Sequence, residues 1–145
     1  MPDSRKHRDP GPQDRVWFGF EAVPGLMSAV SDLVWLFTWG LLRVFSGEAG
    51  RGRHRLVERQ QVAVLRSSCS DAARSDRRSR QVDVGSLRDQ PIRIDGFNLI
   101  LTLESAFGGG IILGGRDGCY RDLASVHGMY RRVAETRPAL ELAAR

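Results

Sequence analysis

The chain has little with which to cross-link itself or to hold a soft metal. Cys69 and Cys119 are its only cysteines in 145 residues. They form no Cys-x-x-Cys pair, and no His/Cys spacing resembles a zinc site. A disulfide framework and a zinc module are therefore excluded, and the two side chains read as reduced thiols of a cytoplasmic protein. A phosphate-binding loop of Walker type is missing as well, because neither Gly108-Gly109-Gly110 nor Gly114-Gly115 is followed by Gly-Lys-Ser/Thr. Met1 to Arg15 lacks the apolar core of a signal peptide, mixing Arg5, Lys6, Arg8 and Arg15 with Asp3, Asp9, Asp14 and three prolines. The most hydrophobic run, Leu33 to Phe45, has about half the length of a spanning helix and carries Arg43, so no membrane contact is expected.

What is present belongs to a folded protein. A hydrophobic fraction of 41% with 27% charged residues is that of a soluble globular chain, long enough for one domain or two small ones. The net charge of +5 points towards polyanions such as nucleic acid.

Residues 1–24 read as a disordered arm and residues 25–80 as a helical region. Leu26, Val30, Leu33, Phe37, Leu41 and Val44 recur at three- and four-residue steps, the spacing of one helix face. Trp35 and Trp39 add a neighbouring face, so this helix should be buried on two sides or docked on something. Gly47, Gly50 and Gly52 break the pattern. A second helix is expected from Leu56 to Ala73, with Val62, Leu65, Cys69 and Ala72 buried. Its exit carries Arg74, Arg77, Arg78 and Arg80, whose forks match phosphate oxygens, although a solvated face with Asp/Arg pairs has the same composition. Residues 81–90 read as a linker.

Residues 91–145 carry the candidate site. The β-branched Ile92 and Ile94 favour a strand, and the run then meets Asp95, Gly96 and Asn98. Asp95 at the carboxyl end of a strand would stand where open α/β sheets place ligands; Asp95 and Asn98 could equally do no more than cap a helix. A buried helix is expected from Leu99 to Phe107, a short strand at Ile111 to Leu113, a polar turn at Gly114 to Gly118, a helix from Cys119 to Arg132 and a last short helix from Ala139 to Ala144. His127 falls beside the apolar stripe of the fourth of these, where a core histidine is the plain reading. A parallel sheet needs a further strand after the crossover helix, and none follows, so either Ile111 to Leu113 supplies the pairing, or another chain does, or the chain is C-terminally truncated.

Arg66 to Asp71, Ile94 to Asn98 and Gly115 to Arg132 resemble an uncharacterised prokaryotic family, domain of unknown function four-three-four, over roughly residues 26–142. That resemblance brings no activity with it. It implies a helical N-terminal part joined to a C-terminal part that continues further. Ser46 to Gly50 departs from the apolar helical stretch usual there. More distantly, Ile94-Asp95-Gly96-Phe97-Asn98 is similar to the opening motif of PIN-like and NYN nucleases. This implies an α/β fold, a helical region followed by the first βα portion of an incomplete Rossmann-like three-layer domain. It also implies Asp95 as a ligand of Mg²⁺ or Mn²⁺, Asn98 as a positioning group, RNA as substrate, and further acids this chain lacks, so that the chain alone would be inactive. The alternatives are a module gripping nucleic acid through Arg74, Arg77, Arg78, Arg80, Arg116, Arg121, Arg131 and Arg132 without chemistry, or a partner-dependent protein that forms oligomers.

Overall fold

The structure, a computed structural model, describes residues 6–41, 53–124 and 130–144. In chain order it contains α1 (Asp14–Trp17), a 3-10 turn (Phe20–Ala22), α2 (Val23–Thr38), α3 (Glu58–Ser67), α4 (Asp71–Ser79), a second 3-10 turn (Val84–Leu87), α5 (Gly96–Phe107), β1 (Ile112–Gly114), β2 (Tyr120–Asp122) and α6 (Thr136–Ala143). The fold is mixed α/β, with one small antiparallel sheet in which Ile112 faces Asp122 and Gly114 faces Tyr120.

The core lies where α2 crosses α3. Ala29, Leu33 and Val64 are buried there, with Leu26, Val30, Phe37 and Leu56 packed around them. The helix expected from Leu56 to Ala73 is instead two helices. Ser68 takes an extended conformation, and the Ser70 side chain caps α4 by accepting from the amide of Ala73 at 3.1 Å. Serine competes for backbone hydrogen bonds in this way, and here it outweighs the continuous apolar stripe. An open apolar groove remains between α2, α3 and β1, lined by Leu26, Val30, Val34, Val64, Ile112 and Leu113.

The arm expected over residues 1–24 is, in its described part, built into the fold. Arg8 and Asp14 are buried. Asp14 takes a two-pronged ion pair from Arg59, Nε to Oδ1 at 2.5 Å and Nη2 to Oδ2 at 2.7 Å, and accepts from the amide of Gly11. Burial opposes the charge on Asp14, but these bonds outweigh it and hold the carboxyl below its ordinary value. Arg59 also donates to the carbonyl of Leu123, tying the N-terminal segment, α3 and the end of β2 together.

Three further expectations are corrected. Pro91 to Asp95 is an exposed irregular segment with Ile92 and Ile94 both open to solvent, so Asp95 does not end a strand. Without neighbouring strands, β-branching alone does not make a sheet. The expected crossover helix at Cys119 to Arg132 begins as β2. The Asp117 side chain accepts from the amide of Cys119, and Gly118 adopts a φ of 81°, which closes a turn and folds the chain back on β1. Residues 130–133 are not helical either, while Ser125 to Met129, including His127, lie outside the described residues. Finally, the last helix, expected from Ala139, already begins at Thr136, with Pro138 in its first turn, where the missing amide costs no hydrogen bond.

The expectation of no membrane contact rested on the run from Leu33 to Phe45, of which residues 42–45 lie outside the described residues, and the long apolar helix described begins earlier. Phe20–Thr38 is 19 residues long, and by length and composition alone it could cross a membrane. Core helices of soluble proteins and signal sequences pass the same test.

Candidate nucleic-acid interface

The hairpin loop between β1 and β2 is docked on the start of α4, and this brings together arginines nearly forty positions apart in the chain. Asp117 is the pivot. Its side chain is 2% exposed and accepts from Arg121 through both terminal nitrogens, at 2.9 and 2.6 Å. A further bond comes from Nη1 of Arg77 on α4, at 2.6 Å. The Arg121 hydrogen bonds, against the opposing effect of burial, hold the Asp117 carboxyl well below the usual carboxylate range. Arg116 fixes the other end of the loop. Its amide donates to the carbonyl of Ser67 at 2.9 Å, its Nη1 to the carbonyl of Cys69 at 3.1 Å, and its Nη2 to Asp71.

On α4 the residues Arg74, Arg77 and Arg78 share one face through the i, i+3, i+4 spacing. Arg74 and Arg78 are exposed and have no ion-pair partner among the described residues. Five arginines, Arg74, Arg77, Arg78, Arg116 and Arg121, therefore meet two carboxylates, Asp71 and Asp117, on this surface. An excess of three positive charges is left facing solvent. Arg80 pairs with Asp76 on α4 itself. Arg131 and Arg132 are exposed just before α6, and no hydrogen bond or ion pair links their side chains to this face among the described residues.

Asp95 and Asn98 lie elsewhere, at the start of α5. The Asp95 side chain is the N-cap of that helix. Oδ1 accepts from the amide of Asn98 at 3.3 Å and Oδ2 from its carboxamide nitrogen at 2.7 Å. Both residues are exposed. A hard divalent cation collects six or more oxygens, and the residues around Asp95 do not fit one. The group of acids and histidines close enough to share an ion among the described residues is His7, Asp9 and Glu135, and Asp95 is not part of it. Asp122, the other acid near α5, is buried and accepts from the amide of Ala124 at 2.8 Å.

Sequence reasoning missed the most enclosed polar cluster. Glu104, fully buried on α5, accepts from Nε of Arg8 at 3.0 Å and from the hydroxyls of Tyr130 and Thr136, each at 2.5 Å. Arg8 also lies over the Tyr130 ring at 5.7 Å. Burial and then the bond to Glu104 push the Tyr130 hydroxyl above its ordinary value. A signal was available: Glu104 is the one charge in the run Leu99 to Phe107.

Against known families, the C-terminal part finds a counterpart. Residues 84–145 match the model of a domain of unknown function, DUF5616. No curated protein and no solved structure matches the chain. The DUF5616 segment begins at the second 3-10 turn and contains α5, the hairpin and α6, so the arginine face joins it to α4, which precedes it. A family without assigned function agrees with the uncharacterised standing that the motifs imply, under a different family number.

Proposed function

We propose that this chain is a non-catalytic module that binds nucleic-acid phosphates, with single-stranded RNA as its ligand, through the face of α4 and the hairpin loop docked on it. The observation that carries this reading is the excess of arginine over carboxylate around Asp117. Arg74 and Arg78 have whole guanidinium forks to offer, and such forks suit phosphate oxygens better than a point charge does. The Asp117 and Asp71 pairs act as braces: they hold Arg77, Arg121 and Arg116 in position and so reduce the ordering cost of binding.

The catalytic version of this reading, a ribonuclease of PIN/NYN kind using Mg²⁺ or Mn²⁺, rests on the likeness of Ile94 to Asn98 alone. Among the described residues Asp95 belongs to no group of three side chains able to share an ion. RNA cleavage that needs Mg²⁺ or Mn²⁺ and disappears in Asp95→Ala would favour it over the binding module.

Fluorescence anisotropy with a labelled single-stranded RNA, across a salt series, tests the proposal. Log affinity should fall linearly with log salt. Replacing both Arg74 and Arg78 by alanine should make that slope shallower by about 1.4, at roughly 0.7 per lost phosphate contact. Because neither side chain has an ion-pair partner among the described residues, the variant should melt with the parent. Affinity indifferent to salt, or an unchanged slope in the double variant, refutes the phosphate mechanism.

A further inference from the structure

The helix that packs the core on one side is bare on the other. Phe20, Pro24, Met27, Ser31, Trp35 and Trp39 follow one another at steps of three or four residues, and all are exposed. Steps of that size place them on a single face running the length of the helix, about 28 Å at 1.5 Å per residue. Ser28 and Thr38 complete the face; Glu21 and Asp32 stand at its edge, Asp32 paired with His54 and Arg53. A stripe this apolar on the surface of a chain of net charge +5 calls for a cover.

We propose that this stripe of α2 pairs with the same stripe of a second copy of the chain, antiparallel about a twofold axis between Ser28 and Ser31. Area supports a second copy. Phe20, Met27, Trp35 and Trp39 are 89%, 63%, 57% and 67% exposed. At about 200 Å² for each large side chain they offer roughly 550 Å². Ser28, Ser31, Thr38 and Pro24 bring the stripe near the ~800 Å² per partner of a standard interface. Shape supports the antiparallel sense: reversal about that axis sets Trp39 against Phe20, Trp35 against Pro24, and Ser31 against Ser28, with Met27 opposite the edge residue Asp32, so the bulky ends meet across a pair of serines. An isologous contact requires this kind of self-complementarity.

Two hydroxyls of the stripe are already bonded. Ser31 donates its hydroxyl to the carbonyl of Met27 at 3.0 Å, and the Thr38 hydroxyl oxygen accepts from the amide of Asp71 at 3.2 Å, so the Ser31 proton and the Thr38 oxygen keep these partners when covered; Ser28 takes its partner from Ser31 of the second copy. A bilayer is the weaker fit. The opposite side of the same helix supplies Ala29 and Leu33 to the chain's own core, so the helix cannot cross a membrane without taking that core apart.

Sedimentation velocity of the full chain over a dilution series decides the matter. The parent should sediment as a dimer at about 50 µM, within the micromolar range open to an interface of this size. Met27→Glu with Trp35→Glu should sediment as a monomer with an unchanged far-UV circular dichroism spectrum. Should the double variant fail to fold, cross-linking answers instead. Ser28→Cys chains mixed with Ser31→Cys chains, both carrying Cys119→Ser, should form a disulfide-linked dimer with diamide as oxidant, and Ser86→Cys chains should not. A parent that stays monomeric throughout overturns the proposal. So does a variant that stays dimeric, or a monomeric parent that floats with vesicles of equal phosphatidylglycerol and phosphatidylcholine and loses flotation in the double variant. RNA binding by the arginine face is read separately, through Arg74 and Arg78.

Discussion

A carboxylate removed from water costs several kcal/mol unless its lone pairs find donors. Glu104 finds three: the Arg8 guanidinium, the Tyr130 hydroxyl and the Thr136 hydroxyl. The donors come from the N-terminal segment, the stretch before α6 and α6 itself, so a single side chain on α5 organises three separate parts of the chain. Glu104→Ala would remove the buried carboxylate to which Arg8, Tyr130 and Thr136 all donate, and should lower stability by about 3–5 kcal/mol in a urea titration. The loss should be cooperative, appearing as a shifted midpoint with an unchanged slope. Arg8 cannot be recognised as a core residue from its surroundings, since it sits among prolines, aspartates and other cations. Only the closing of 96 residues of chain brings it to Glu104.

At the scale of elements, the start of α5 shows how one short stretch supports two readings. Asp95, Gly96 and Asn98 suit a ligand site at a strand end and suit a helix N-terminus; the structure has the N-terminus. Helix propensity, the apolar run and the cap are local, and a helix ending at Phe107 was legible from them. Its beginning at Gly96, three residues before the expected start at Leu99, follows from the cap. A strand at Ile92 to Ile94 would have required neighbours, which no local feature supplies. Asp95→Ala should therefore cost about 1 kcal/mol of thermal stability, the usual worth of an N-cap, and leave RNA affinity as in the parent. The hairpin was half legible: Ile111 to Leu113 was read as a strand, while Tyr120 to Asp122 was assigned to a helix whose spacing the sequence also permits. Pairing with β1 and the brace on Asp117 decide against that helix.

Across the whole molecule, the two ends of the described chain meet. His7 Nδ1 and Glu135 Oε1 are 2.8 Å apart, and Glu135 Oε2 also accepts from the amide of Arg8 at 3.2 Å. The bond to Glu135 raises His7 above its ordinary 6.5. Burial pushes Glu135 up, but the His7 bond together with the backbone amides of Glu135 and Arg8 outweighs it, and the carboxyl falls below 4.5. A raised histidine contributes fully below pH 6.5 and loses its contribution as pH rises through its folded value; a lowered carboxylate contributes above pH 4.5 and loses it on acidification. This link between the ends is thus strongest between pH 4.5 and 6.5. In an NMR titration the His7 ring should titrate above 6.5 in the parent and return towards 6.5 in Glu135→Gln.

The sequence by itself determined a basic chain of mixed apolar and charged composition. It determined the long apolar helix near the N-terminus and the helix after Asn98, because hydrophobic period, glycine breaks and caps act over a few residues. It also determined that arginine would collect after the second helical pattern. Tertiary structure decided which of those arginines face solvent and which brace a buried carboxylate, because Asp117 reaches Arg77 across 40 positions of chain. It decided that Asp95 caps α5 and lies outside the group His7, Asp9 and Glu135, and that the described N-terminal segment is built into the fold through the buried Arg8 and Asp14. Such outcomes depend on desolvation and on charge pairs formed at long range, and no short stretch of residues encodes its partner.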